Sequence, residues 1–264
     1  MDFKLQNKTA LITGSTAGIG FAIAERLAQE GARVIINGRT QKRVAFAIQQ
    51  LHKNVPHAKV EGIAADLGHR KGCAALVKQL RDVDILVNNL GIFDPKPFES
   101  ISDEEWSEFF EVNVMSGVRL SRSYLPGMRK RNWGRIIFIS SESGVHIPAE
   151  MIHYGMTKTA QIAVARGLAE TCAGTGITVN SVLAGPTASE GAMDFLGKLA
   201  KERNMTPAEF EKEFFKSVRP TSLVKRFLKP DEVGAVVAFV CSPEASAITG
   251  SALRAEGGVV KAAV

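Results

Sequence analysis

The sequence predicts an α/β protein, a single doubly wound domain whose parallel sheet carries helices on both faces. Short, β-branched apolar runs at residues 10–12, 32–36, 60–64, 85–87, 136–139 and 179–183 alternate with helix-like stretches, and strands that return in parallel need a crossover between them, usually a helix. Between the first run and the first helical stretch lies a glycine turn, Thr13-Gly14-Ser15-Thr16-Ala17-Gly18-Ile19-Gly20, so that strand, tight turn and helix follow without a break. At 264 residues the chain exceeds the commonest domain size, but parallel α/β folds of about 250 residues form single cores. Residues 1–264 are therefore read as one domain.

The first run, Ala10-Leu11-Ile12, is apolar throughout, as a strand covered on both faces should be. The glycine turn then feeds Phe21-Ala22-Ile23-Ala24-Glu25-Arg26-Leu27. Glycines there let the backbone bend tightly and approach a pyrophosphate, whose charge is stabilised by the free amides and positive dipole end of the helix. Gly14, Ser15, Gly18, Ile19 and Gly20 are accordingly candidate contacts of a dinucleotide. The second strand ends in Asn37-Gly38-Arg39-Thr40. An acidic side chain at that place would accept from the ribose hydroxyls and repel a 2′-phosphate, whereas an arginine accommodates the phosphate. Gly38 followed by Arg39 therefore favours NADP(H), the alternative being an ordinary surface arginine before a Thr40 helix cap. Further on, Ser102-Asp103-Glu104-Glu105 is a capping box for a helix on which Trp106, Phe109, Phe110 and Asn113 share a face. The aromatics read as core, and Asn113 as a helix stop unless function claims it.

Tyr154 precedes Lys158 by four residues at the start of a long Ala-rich helical segment. Residues four apart share a helix face, an ammonium beside a phenol favours phenolate, and such a tyrosine can act as a general acid or base. Near residue 206, Thr206-Pro207-Ala208-Glu209 is a helix start with a capping hydroxyl and a proline at the first position. Phe210 and Phe214 give that helix one apolar face, Met193, Leu196 and Ala200 give the preceding stretch another, and Gly191 and Gly197 weaken that stretch as a helix. Residues 189–217 are expected to form a mobile lid over a substrate.

The spacing Gly-x-x-x-Gly-x-Gly, Ser141 thirteen residues before Tyr154, Lys158, Asn113, Asn88-Asn89-Leu90-Gly91 and Asp66-Leu67 occur in one order, and together they resemble the short-chain dehydrogenase/reductase family from end to end. The resemblance implies a Rossmann-type oxidoreductase that moves hydride between a nicotinamide and a carbonyl or alcohol carbon, similar to 3-oxoacyl-acyl-carrier-protein reductases and related carbonyl reductases. It implies Tyr154 as proton donor, Ser141 as donor to the same substrate oxygen, Lys158 as the group that lowers the tyrosine pKa and holds the nicotinamide ribose, and Asn113 as holder of a water that resupplies protons through the lysine. Asp66, Leu67, Asn89 and Gly91 would touch the cofactor. Many NADP-dependent relatives carry a second basic residue in the glycine loop, where this chain has Ala17, so Arg39 would act largely alone. After the sixth strand the run Ala184-Gly185-Pro186-Thr187-Ala188-Ser189 lacks the family's proline at 184, and Gly185, Thr187 and Ser189 would meet the carboxamide. Glu256-Gly257-Gly258 replaces the more usual Asp-Gly-Gly. A homo-oligomer, dimer or tetramer, is expected by the same resemblance. Glu142, His146, Met151 and His153 stand where relatives line the pocket. A non-catalytic NADP(H)-binding redox sensor is the other function class, and presence of Asn113, Ser141, Tyr154 and Lys158 together favours the enzyme, since a sensor needs no proton donor.

Composition narrows the partners. The net charge of +6 has its densest basic cluster at Arg129-Lys130-Arg131, which is short and reads as a helix end where cations complement the dipole, so no nucleic acid is expected and an anionic small molecule is. No apolar run approaches the roughly 20 residues of a membrane span, and the opening Met1-Asp2-Phe3-Lys4 lacks the apolar stretch of a secretory signal. A cytoplasmic location is the default expectation. Cys73, Cys172 and Cys241 are scattered and odd in number, fitting packed thiols and no metal site.

Overall fold

The computed structural model of the chain describes residues 2–263, with the side chains of residues 194, 195, 198, 199, 201 and 202 outside the described set. The elements run β1 (Thr9–Ile12), α1 (Gly18–Gln29), β2 (Arg33–Gly38), α2 (Gln41–Asn54), β3 (Val60–Ala64), α3 (Arg70–Gln79), β4 (Ile85–Asn88), α4 (Asp103–Phe110), α5 (Ser116–Arg131), β5 (Gly134–Ser141), α6 (Ile152–Glu170), β6 (Ile177–Ala184), α7 (Glu190–Glu202), α8 (Pro207–Glu213), α9 (Pro230–Cys241) and β7 (Ala252–Ala255). The strands form one sheet in the order β3-β2-β1-β4-β5-β6-β7, every pair parallel. The order reverses between β1 and β4, and in open α/β sheets ligands bind outside the carboxyl ends of the strands at such a point.

Each face of the sheet carries its own core. One contains Ile12, Ile23, Leu27, Ile36, Val87 and Val237 under α1, α2 and α9; the other contains Leu11, Ile35, Leu86, Leu120, Phe138 and Val179 under α3, α5 and α6. Leu11 and Ile12 therefore serve opposite cores, which is why β1 has no polar face. The three cysteines are buried and unpaired. Among the described residues no helix is long and apolar enough to cross a membrane.

Helix ends follow the local chemistry of the sequence. Both capping boxes form: the Ser102 hydroxyl accepts from Glu105 N while the Glu105 carboxylate accepts from Ser102 N, and Thr206 and Glu209 do the same. The basic cluster closes α5, with Arg131 paired to Asp82 and Asp84 and Arg129 donating to the Thr171 carbonyl at 3.0 Å.

Two expectations change. α7 is helical over its whole length despite Gly191 and Gly197, because Leu196 and Ala200 pack on Phe210 in a small cluster of their own, and tertiary packing outweighs a cost of about 1 kcal/mol per glycine. Met193 stays 41% exposed and is no part of that face. The helix that starts at Asp103 does not run straight to Asn113, since residues Glu111–Met115 form a π turn. The wider turn aims Asn113 inward, 1% exposed, while Phe110 faces outward, so Asn113 is not a helix stop.

Candidate active site

Strand ends build the site. β1 delivers the glycine turn, β4 delivers Asn89 and Gly91, β5 ends on Ser141, and β6 ends on Ala184, which lies directly beside Ser141 in the sheet register. Between them opens a cleft of about 570 Å³ that reaches from Ile19, Asn89 and Gly91 past Ser141, Tyr154 and Lys158 to Gly185, Thr187 and Ser189. Its outer wall is largely apolar, with Phe93, Met151, Leu196, Phe210, Phe214 and Phe227.

At the glycine turn, Gly14 (φ 60°) and Gly18 (φ 58°) occupy the left-handed region that other residues enter only with strain. Ala17 caps α1 without a side-chain hydrogen bond, and the first turn carries no acidic residue. The amides and dipole end of α1 are thus left to a ligand anion. Asn89 braces the turn, its Nδ2 donating to the carbonyls of Thr13 (2.9 Å) and Gly14 (3.1 Å). Ser15 ties the turn to the sheet. Its N–H donates to the Asn37 carbonyl, its hydroxyl donates to Ile12 O at 2.7 Å and accepts from Asn37 N, and it is fully buried. Ser15 holds β1 to β2 behind the turn, with its N–H and its hydroxyl both spent.

At the adenine end Asp66 is exposed, its carboxylate accepting from Gly68 N, whereas the Leu67 side chain is buried in the core, leaving only its backbone for a ligand. Arg39 is exposed and forms no ion pair among the described residues. The structure adds a reason for Gly38 that its sequence alone did not reveal: a Cβ there would lie 2.4 Å from Cγ2 of Thr16. The residues present fit a dinucleotide cofactor.

The reacting end is drier than expected. Burial pushes the Tyr154 phenol up to about 12, against a hydrogen bond with Ser141 that lowers it; the Glu142 carboxylate raises it further and Arg219 opposes that. Burial also lowers the Lys158 ammonium to about 8. Its Nζ donates to the Ile139 carbonyl at 2.9 Å and to Gln161 Oε1 at 3.2 Å, and lies 5.5 Å from the Tyr154 ring centre. The ammonium is turned to these acceptors, and desolvation of the phenol outweighs the groups that lower its pKa. Ser141 is 7% exposed, with its Oγ accepting from Ser143 N at 3.1 Å.

Asn113 spends its side chain on Ile92 and Thr157. Its Oδ1 accepts from Ile92 N at 2.8 Å, and its Nδ2 donates to Ile92 O and to Thr157 Oγ1, both at 3.0 Å. Its carbonyl accepts from Gln161 Nε2, a residue the sequence gave no reason to single out. Thr187 donates to the Gly185 carbonyl at 2.8 Å, and Ser189 accepts from Ala192 N at the start of α7, its hydroxyl hydrogen left to another acceptor.

Of the substrate-side candidates, Glu142 and Met151 line the cleft. His153 is buried between Trp106 and Phe109, and burial lowers its pKa; it is packing. His146 is exposed and outside the cleft lining. Arg219 went unnoticed in the sequence. It is 6% exposed, and it pairs through Nε with Glu142 at 2.9 Å and through a terminal nitrogen with Glu150 at 3.0 Å. No short-range signal links residues 77 positions apart.

With this geometry in place the comparisons are decisive. The pattern of the short chain dehydrogenase family matches residues 8–198. The chain belongs to that family. Among similar proteins, an uncharacterized oxidoreductase of Bacillus subtilis, YvaG, is 49% identical over 99% of both chains. The 3-oxoacyl-[acyl-carrier-protein] reductase FabG of Aquifex aeolicus is 35% identical over 98% of this chain and 100% of its own. The structure of L-sorbose reductase from Gluconobacter frateurii complexed with NADPH and L-sorbose aligns at a TM-score of 0.91, with 32% identity, over 99% of this chain and all of that one. As a short-chain dehydrogenase the protein is an oxidoreductase with a single Rossmann-type domain.

Proposed function

We propose that the protein is an NADP(H)-dependent oxidoreductase acting on a carbonyl or CH–OH group of a small molecule, with Tyr154 as general acid and base. The observation that carries this reading is the meeting of Tyr154 and Ser141, beside Lys158, at the floor of a cleft whose other end is the glycine turn. The nicotinamide cofactor, when bound, supplies or accepts the hydride. Gly14, Gly18, Ile19, Gly20, Asn89 and Gly91 would shape its bed, Arg39 would meet the 2′-phosphate, Asp66 and the Leu67 backbone the adenine, and Gly185, Thr187 and Ser189 the carboxamide. Relatives with solved NADPH complexes support that choice.

Near pH 7 a phenol at about 12 keeps its proton, so Tyr154 stands ready to give it to an oxygen that becomes more basic as the carbonyl is reduced. Ser141 supplies a second hydrogen bond where charge grows, and Lys158 contributes the positive charge beside them. The apolar wall keeps water away and strengthens each of these terms. Asn113 fixes the backbone at Ile92, which forms one side of the cleft. A homo-oligomer, dimer or tetramer, belongs to the proposal too; Leu223, 82% exposed beside the C-terminal Gly258, offers an apolar contact for it.

The test is a panel of ketones, including L-sorbose and 3-oxoacyl thioesters, followed by NADPH absorbance. Turnover of at least one compound is expected. Tight NADPH binding with silence across the panel would instead favour a redox sensor.

A further inference from the structure

Lys158 is held by a neighbour on its own helix. The two residues lie three apart on α6, nearly one turn, so their side chains share a face. Gln161 is 1% exposed and Lys158 4% exposed. Gln161 Oε1 accepts from Lys158 Nζ at 3.2 Å, and Gln161 Nε2 donates to the Asn113 carbonyl at 2.5 Å.

These two contacts fix which way the amide points. A carbonyl only accepts, so the Asn113 oxygen requires the NH₂ end of the glutamine and leaves its oxygen facing the ammonium. The Asn113 carbonyl lies within the π turn. Ser116 N–H bonds back to Glu111 O, five residues earlier, and a ladder widened by one residue leaves a carbonyl short of its usual amide. The turn that aims Asn113 inward thus also supplies the anchor for Gln161.

We propose that Gln161 is the positioning residue for Lys158, clamping its ammonium between the Gln161 amide oxygen and the Ile139 carbonyl and tying it to the π turn at Asn113. An ammonium has three donors. Two are committed to Ile139 and Gln161, so one remains for the cleft, where a Cβ added at Gly91 would lie 3.4 Å from Nζ. A freely turning lysine would offer that donor in many directions; a clamped one offers it in one. Oxygen acceptors on the charged form also favour it, so the clamp opposes the burial that pushes the lysine towards neutrality.

The consequence for catalysis rests on the oxidoreductase reading above; the clamp itself does not, and the two are tested separately. Lysine labelled with ¹³C at Cε reports the titration of Lys158 by NMR in the ligand-free protein. Gln161→Leu keeps the volume and removes both polar contacts, so the Lys158 titration should fall by about one pKa unit, a tenfold loss of proton affinity. Gln161→Glu keeps an acceptor towards Nζ and adds charge, so the titration should rise above wild type. If both variants titrate as wild type does, Gln161 is packing and the proposal is overturned; if the leucine variant does not fold, the glutamate variant alone decides by the same rule. In the activity arm, the alkaline limb of the kcat profile should move with each measured shift, while NADPH affinity changes less than about threefold (roughly 0.6 kcal/mol). Shifted titrations without turnover of any carbonyl would keep the clamp and defeat the oxidoreductase reading instead.

Discussion

At the scale of single residues, the site keeps an acid and a cation in a place hostile to charge. Tyr154→Phe retains the ring and its packing and deletes the proton donor, so kcat should fall by at least about a hundredfold, the low end of general acid–base contributions, with NADPH affinity little changed in a titration of cofactor fluorescence. Lys158 shows the opposing demands of stability and function. Its folded pKa of about 8 lies below the ordinary 10.5, so below pH 8 the folded state carries a buried charge at full cost, and between pH 8 and 10.5 it sheds the proton that the unfolded chain retains. Stability from this group therefore rises with pH through that window. Lys158→Met should abolish turnover yet stabilise the protein at pH 7 by on the order of 1 kcal/mol, or about 2 °C in Tm for a chain of this size, since loss of the contacts to Ile139 and Gln161 offsets part of the gain. Repeating the melts near pH 10 should show the advantage shrinking; an advantage constant with pH would mean that desolvation of the ammonium is not its source.

At the scale of elements, six of the seven strands were legible because β-branched apolar runs need burial on both sheet faces, but their ends were not, and neither was β7 (Ala252–Ala255), which is half exposed and carries no such run. β5 and β6 pair over eight residues, from Gly134 beside Ile177 to Ser141 beside Ala184, and Ser140 and Ser141 continue the ladder where the apolar run 136–139 stops. The reading of Tyr154, Lys158 and Ser141 came from spacing and order, which a chain displays directly. The π turn at Glu111–Met115, the Gln161 contact and the Arg219–Glu142 pair did not, because each depends on backbone or side chains meeting only after the sheet has formed. Gly38 lies between these cases: its missing charge was visible, its missing volume was not. A simple Gly38→Asp, Arg39→Val exchange should therefore misfit, since the new Cβ would press on Thr16. Adding Thr16→Ala should relieve that contact, and the triple variant should move the ratio of kcat/KM for NADPH over NADH by at least about tenfold towards NADH, or about 1.4 kcal/mol in transition-state stabilisation. Wild-type protein that uses both cofactors equally would refute the assignment of Arg39.

At the scale of the whole molecule, the described side chains of residues 189–217 form a layer that is attached to the domain without belonging to either core. Leu196, Ala200 and Phe210 cluster with Met205, Phe214 and Phe227, and that cluster is itself part of the cleft wall. The segment is attached at both ends and through Phe227, which packs on Phe214 and Phe215 and donates its N–H to Glu211 Oε1 at 2.8 Å. Glu190 faces Arg43 at 3.6 Å across an exposed pair, which contributes little, and a Cβ on Gly18 would meet Ser189 at 3.0 Å, so this end lies against the glycine turn. The far end is anchored by Arg219, whose buried pairing with Glu142 fixes the chain next to Ser141. A segment with its own small core and anchored ends can open as a unit at less cost than the sheet beneath it, and filling of the cleft would give its inner face new contacts. Amide exchange in 190–217 is therefore expected to be faster than in β5 and β6 without ligand, and to slow by at least about tenfold, or 1.4 kcal/mol of opening free energy, when NADPH and a turned-over ketone are bound. Phe210→Ala should abolish most of that slowing and raise KM while leaving exchange in β5 and β6 as in wild type, because its cluster is separate from theirs. Equally slow exchange with and without ligands would make the segment a fixed packing element, and loss of protection in the sheet of the Phe210 variant would show that the lid and the domain core are one cooperative unit.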